Sequence, residues 1–162
     1  MKKCVFAGTF DPVTKGHEKV IEKASALFDG VVVALCINSE KKTLFSVSER
    51  LEMLSAVCKD YKNVKVVYHE GMLVDLMKKE GIVYTVRGVR NATDYEYENK
   101  MHAFNRTLYP EIVTLYLPCS DELKEVSSTA VKKDLIGAIE GGEMLSESVI
   151  AIIKKSGKQN NK

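Results

Sequence analysis

Seven consecutive apolar residues, Val31-Val32-Val33-Ala34-Leu35-Cys36-Ile37, leave this chain few ways to fold. The run is far too short to cross a membrane as a helix, and its β-branched side chains favour extended backbone, so it reads as a strand covered on both faces. Such a strand needs helices on either side of a sheet, and the rest of the sequence supplies them in alternation. Cys4-Val5-Phe6-Ala7 is a short strand ahead of a helix whose apolar face is Val20, Ile21, Ala24, Leu27 and Phe28. Ser46-Val47-Ser48-Glu49 has the form of a capping box, opening a helix with Val47, Leu51, Leu54 and Cys58 on one side. Further strands are expected at 64–68, 82–86 and 112–117, with helices at 72–79 and 93–108 between them. Two closing helices, at 128–136 and 147–154, flank the flexible Glu140-Gly141-Gly142-Glu143.

Strands that are each followed by a helix across short connections imply right-handed crossovers. The expected fold is α/β: a Rossmann-like, doubly wound, five-stranded parallel sheet with helices on both faces. With 162 residues, 45% of them apolar, the chain makes one sizeable core, so residues 1–155 read as a single domain and 156–162 as a polar, fraying tail. A net charge of +2, with no basic block, argues against nucleic acid as a partner. The four cysteines lack C-x-x-C or zinc spacing and point to a reducing compartment. No apolar run has the length of a signal or membrane segment, so a soluble, cytoplasmic protein without membrane contact is expected.

In sheets of this kind ligands bind beyond the carboxyl ends of the strands. After the first strand comes Gly8-Thr9-Phe10-Asp11-Pro12-Val13-Thr14-Lys15-Gly16-His17. Glycines allow close backbone approach to a ligand, Thr14 is the expected N-cap, and a helix start presents free N–H groups to an anion. His17, in the first turn, adds an imidazole donor, neutral or protonated. After the second strand stand Lys41 and Lys42; after the fourth, Arg87-Gly88-Val89-Arg90; after the fifth, Ser127-Ser128-Thr129 at another helix start. Guanidinium forks suit phosphate oxygens, and so many cations and helix starts at one sheet edge imply a triphosphate facing a second phosphate. Neither a P-loop nor a G-x-G-x-x-G pattern is present, and no metal-binding cluster is apparent.

Thr14-Lys15-Gly16-His17 resembles the [HT]-x-G-H signature of the nucleotidyltransferase superfamily. Arg87-Gly88-Val89-Arg90-Asn91-Ala92-Thr93-Asp94-Tyr95-Glu96-Tyr97-Glu98 resembles the R-G-[LV]-R-x-x-x-D-[FY]-E-Y-E segment of bacterial phosphopantetheine adenylyltransferases, and Lys41-Lys42-Thr43-Leu44-Phe45-Ser46-Val47-Ser48-Glu49-Arg50 their K-K-x-x-F-[ST]-x-x-E-R segment. The resemblance implies transfer of the adenylyl group of ATP to 4′-phosphopantetheine, giving dephospho-coenzyme A and pyrophosphate. Mg²⁺ is then bound mainly through the ATP phosphates. It further implies a homohexamer, with dephospho-coenzyme A and coenzyme A as product and inhibitor. His17 would contact the α-phosphate as the catalytic residue; Thr9, Lys41, Leu73 and Arg87 would bind the acceptor. Gly8, Thr9, Phe10, His17, Gly88, Val89, Arg90, Glu98 and the stretch Leu123, Lys124, Glu125, Val126, Ser127, Ser128, Thr129 would bind ATP.

The sequence departs from the family at Leu123-Lys124-Glu125, where two aromatic residues are usual. His69 reads as a loop residue and His102 as packing or surface; Met53, Met72, Met77 and Met101 read as core filler, and Tyr95 and Tyr97 as subunit contacts. The competing functions are a cytidylyltransferase, a nicotinate-mononucleotide adenylyltransferase, or a nucleotide-sensing module that has lost turnover.

Overall fold

The computed structural model describes residues 1–37 and 42–160. Their order is β1 (Lys3–Gly8), α1 (Lys15–Leu27), β2 (Gly30–Cys36), α2 (Val47–Cys58), β3 (Val64–His69), α3 (Leu73–Glu80), β4 (Tyr84–Val89), α4 (Ala92–Leu108), β5 (Val113–Pro118), α5 (Ser128–Lys133), α6 (Leu135–Gly141) and α7 (Glu147–Ser156). Short 3₁₀ turns occupy Asp121–Leu123 and Lys158–Asn160.

The five strands form one parallel sheet in the order β3-β2-β1-β4-β5, the expected doubly wound topology. Alternate residues of the central strands feed two apolar layers. Cys4, Phe6, Val31, Val33 and Leu35 pack with Ile21, Ala24, Met53, Leu54, Val149 and Ile153 on one face. Val5, Ala7, Val32 and Ala34 pack with Val74, Leu76, Met77 and Ile112 on the other. The unbroken apolar run of β2 follows directly from this double cover.

Winding reverses between β1 and β4, and there the sheet parts. β1 pairs with β2 along its whole length, from Lys3↔Gly30 to Gly8↔Leu35, but with β4 only at Cys4↔Tyr84 and Val5↔Thr85. Beyond Val5 the two strands diverge and leave a seam at their carboxyl ends, the position where doubly wound sheets bind ligands.

Local chemistry explains most boundaries. Ser46 and Glu49 form the expected capping box of α2, with Glu49 N–H donating to Ser46 Oγ at 3.2 Å and Ser46 N–H to Glu49 Oε2 at 2.7 Å. β4 begins later than expected and takes in Arg87, Gly88 and Val89, so these residues end the strand instead of following it. The stretch expected as one helix from 128 is two, broken at Asp134, whose carboxylate accepts the Gly137 N–H at 2.9 Å and caps α6. α6 also extends through part of the segment expected to be a flexible spacer. Lys158, in the stretch expected to fray, pairs with Glu49 at 2.6 Å and lies 5.4 Å from the centre of the Phe45 ring.

Gly88 is set by close approach. A Cβ there would stand 2.8 Å from Val20 Cγ2, because α1 lies tightly over the end of β4. Gly88→Ala is therefore expected to lower stability by about 1–3 kcal/mol through overpacking. Thermal unfolding of the variant measures this, and an unchanged midpoint would show that α1 can shift without penalty.

Candidate active site

The loop after β1 turns through Phe10, a buried residue in the left-handed region at φ 47°. A bulky side chain adopts that conformation only where its surroundings enforce it. Here the Phe10 ring stands edge-on to Phe6, with ring centres 5.4 Å apart, and to His17, 5.0 Å apart. The imidazole is thus packed from one side by aromatic rings.

Thr14 holds it from the other side. As the N-cap of α1 it donates its backbone N–H to His17 Nδ1 at 3.0 Å, and its hydroxyl lies 3.0 Å from the same nitrogen. Nδ1 is therefore an acceptor, and the ring proton sits on Nε2. Burial above all, then the positive charges of Arg87 and Arg90, push the His17 pKa down to about 4. Of the two protonation states the sequence left open, the free protein holds the neutral one, a donor through Nε2–H.

Asp11 ties separate segments into one frame. Its carboxylate is 2% exposed and accepts the N–H of Leu44 at 2.9 Å and of Phe45 at 2.8 Å, while Lys132 of α5 binds it at 2.9 Å. Arg50, also buried, donates to the Thr9 carbonyl at 2.9 Å, which explains why an arginine closes the lysine-rich segment. Ser128 Oγ donates to the Pro12 carbonyl at 2.8 Å, and Ser127 Oγ caps α5 by accepting the Ala130 N–H at 3.0 Å. What the start of α5 offers an anion is therefore its backbone donors and Thr129.

Arg87, in β4, and Arg90, just after it, are both in ion pairs. Arg87 grips Glu98 through Nε and Nη2, each at 2.6 Å, and sends Nη1 across the seam to the Ala7 carbonyl at 2.5 Å. Arg90 pairs with Asp94 through Nε at 2.7 Å and Nη2 at 3.1 Å. Burial opposes the charge on Asp94, but the hydrogen bonds from Arg90 outweigh it and hold the carboxyl below its usual range. Of the five N–H bonds on Arg87, three are used, leaving one on each Nη for a ligand.

These groups surround a cleft of about 760 Å³. It is lined by Gly8, Thr9, Phe10, His17, Arg87, Gly88, Val89, Arg90, Glu98, Val126, Ser127, Ser128 and Thr129, all expected at the site. Leu123, Lys124 and Glu125 do not line it. Leu73 lines a second cavity of about 290 Å³. Ala7, Gly8, Thr9, Arg87 and Glu98 border both spaces and form their common wall. Lys41 lies outside the described residues. Sequence reasoning missed the roles of Asp11, Arg50 and Lys132, although Asp11 and Arg50 stood within the quoted motifs. It also missed that Met72 and Met101 line the second cavity instead of filling the core, and that His102, read as packing or surface, lines it with them.

Residues 5–134 match the family model described as cytidylyltransferase-like, so sheet, seam and histidine loop are those of that class. The chain is 40% identical over 163 residues to the phosphopantetheine adenylyltransferase of Clostridium tetani, covering 100% of both proteins. It is 43% identical to that of Nitrosospira multiformis over 133 residues, covering 82% of this chain and 81% of the relative. It belongs to the phosphopantetheine adenylyltransferase family. Among solved structures, the Plasmodium falciparum nicotinic acid mononucleotide adenylyltransferase complexed with NaAD superimposes with a TM-score of 0.72 at 17% identity, covering 100% of this chain and 99% of that one, and shares the fold.

The depressed pKa of His17 makes a prediction for the free protein. Unfolded, the imidazole would titrate near 6.5, so the unfolded chain binds a proton first as pH falls. The stability His17 gains by staying neutral is fully present above 6.5 and is lost between there and about 4. NMR of the His17 ring protons should show neutral-form shifts from pH 8 to pH 5. A midpoint above 6 would mean that burial and the arginines do not act on it.

Proposed function

We propose that this protein transfers the adenylyl group of ATP to 4′-phosphopantetheine, forming dephospho-coenzyme A and releasing pyrophosphate in coenzyme A synthesis. One observation carries the reading beyond family membership: two cavities share a wall made of Ala7, Gly8, Thr9, Arg87 and Glu98, so two reactants can meet there. The larger, with His17, Arg90 and the start of α5, suits the triphosphate and nucleoside. The smaller, lined mainly by apolar groups and bordered by Leu73, suits the pantetheine arm.

The acceptor phosphate is largely a dianion near neutral pH, with a second pKa of about 6, so it attacks without a protein base. One of its oxygens forms a bond to the α-phosphorus as the bond from that phosphorus to the bridging oxygen of pyrophosphate breaks. Thr9 and Arg87 hold the attacking group, as Lys41 would, and His17 Nε2–H donates to the α-phosphate oxygens, where charge builds up. Arg90 and the helix starts neutralise the triphosphate. The ATP-binding set inferred from the sequence is retained for the residues that line the cleft. Glu98 enters it differently: both of its oxygens are taken by Arg87, so it acts by holding that guanidinium.

Mg²⁺ fits as an ion carried by the nucleotide. The cleft carboxylates Asp11, Glu22, Asp94 and Glu98 are committed to Lys132, Lys19, Arg90 and Arg87, and among the described residues no cluster of three or more His, Cys, Asp or Glu is placed to hold a metal. When bound, the ion would offset charge on the phosphates. Homohexamer formation is supported by α4, which buries none of its residues and exposes Tyr95, Tyr97, Met101 and Phe104. Coenzyme A, as nucleotide and pantetheine in one molecule, would span both cavities and inhibit. No described helix is long and apolar enough to cross a membrane, and the four cysteines are free; both features suit a cytoplasmic enzyme.

Pyrophosphate release from ATP, Mg²⁺ and phosphopantetheine, with each omitted in turn, tests the reaction. Tight ATP binding without release would instead mark a sensing module, and turnover of nicotinate mononucleotide or CTP a different transferase. His17→Ala should lower kcat by about 10² to 10³ with little change in thermal stability, the usual loss for one transition-state donor. Arg87→Ala should raise KM for phosphopantetheine while leaving that for ATP nearly unchanged. Glu98→Gln should shift the same constant in the same direction, and a rise confined to the ATP KM would return Glu98 to the nucleotide.

A further inference from the structure

The smaller cavity is walled mainly by apolar groups, yet between α4 and β5 it carries a polar pair with no part in the phosphate chemistry. His102 of α4 and Thr114 of β5 both line it, and His102 Nδ1 lies 2.8 Å from the Thr114 hydroxyl. That bond spans the gap between helix and sheet and fixes the ring. Among the described residues it is the imidazole's one hydrogen bond, leaving Nε2 for a ligand. Thr85, in the same wall, is different: its hydroxyl donates its one proton to the Val5 carbonyl at 3.0 Å and can only accept from a ligand.

A ring held in this way presents a fixed, directional nitrogen to a pocket walled mainly by apolar groups, beside the side-chain amide of Asn105 one turn along α4. If Thr114 donates to Nδ1, Nε2 carries the proton and donates; if Nδ1 donates to Thr114, Nε2 accepts. An amide, with an N–H and a C=O side by side, can answer either state. A hydrocarbon chain answers neither and leaves the nitrogen desolvated without a partner.

We propose that His102, oriented by Thr114, hydrogen-bonds an amide of the acceptor's pantetheine arm and so selects amide-bearing acceptors over apolar ones. This rests on reading the smaller cavity as the acceptor site. It gives a role to a histidine whose sequence context suggests only packing or surface.

The test compares wild type with His102→Leu, which keeps most of the side-chain volume and removes both nitrogens, and with Thr114→Val, which releases the ring. His102→Leu should raise KM for 4′-phosphopantetheine about tenfold, as expected for one neutral hydrogen bond, with kcat and the ATP KM within about twofold of wild type. Thr114→Val should produce a smaller rise, and the double variant no more than His102→Leu. Should His102→Leu fail to fold, Thr114→Val carries the test. Octyl phosphate, measured as a competitor of the acceptor, should bind His102→Leu at least as well as wild type. An unchanged phosphopantetheine KM, or an equal loss of octyl phosphate binding, overturns the proposal. If wild type turns over no phosphopantetheine, the functional reading fails instead; calorimetry with pantetheine, which lacks the phosphate, then reads the amide contact directly, and equal binding to wild type and His102→Leu overturns it.

Discussion

A carboxylate almost cut off from water holds the catalytic end of this fold together. Leaving Asp11 buried and unpaired would cost several kcal/mol, so the surrounding chain must meet it with donors. It does so from two directions, with backbone N–H groups of Leu44 and Phe45 and with the ammonium of Lys132. The loop after β1, the segment entering α2 and helix α5 come from distant parts of the sequence, and their relative positions follow from this one group. Phe10, next to it, keeps its left-handed backbone because the loop on either side is pinned. The ring that results from that turn is the ring that packs His17.

Charge is handled the same way for three of the cleft's cations. Arg87, Arg90 and Lys132 each have a carboxylate partner, Glu98, Asp94 and Asp11 respectively. Three unpaired cations gathered in a half-buried space would repel one another and mobilise their side chains. Pairing removes the repulsion and fixes the guanidinium planes before a ligand arrives, which is what preorganised electrostatic stabilisation requires. His17 fits this scheme by carrying no charge, kept neutral by burial first and by the arginines second, so it adds a directed donor without adding to the positive field.

The alternation of strand and helix, the double cover of β2 and the capping box at Ser46 were legible in the sequence because each is a local pattern with a local cause. The histidine loop was legible too, since glycine, cap and helix start lie within ten residues of one another. The pairs that arm the cleft were not. Asp11 with Lys132 and Arg87 with Ala7 join residues 121 and 80 positions apart, and no periodicity announces them. The Glu98 motif suggests a nucleotide contact, and nothing in its local pattern announces that the helix also turns both of its oxygens onto Arg87. Met53 and Met77 are the core residues their spacing suggests, whereas Met72, Met101 and His102 line a cavity: helical spacing marks which residues share a face but not whether that face meets a core or a cavity.

The parting of β1 from β4 has a further consequence. Because the strands separate after Val5, the larger space opens against α1 on one face of the sheet, while the smaller lies against α3 and α4 on the other. The sheet edge is thus a saddle with a mouth on either side. In a displacement at phosphorus the incoming and departing oxygens stand roughly in line. Reactants seated one in each space would have that line set by architecture, and the small leaving anion could then exit without passing the arm of the molecule that replaced it.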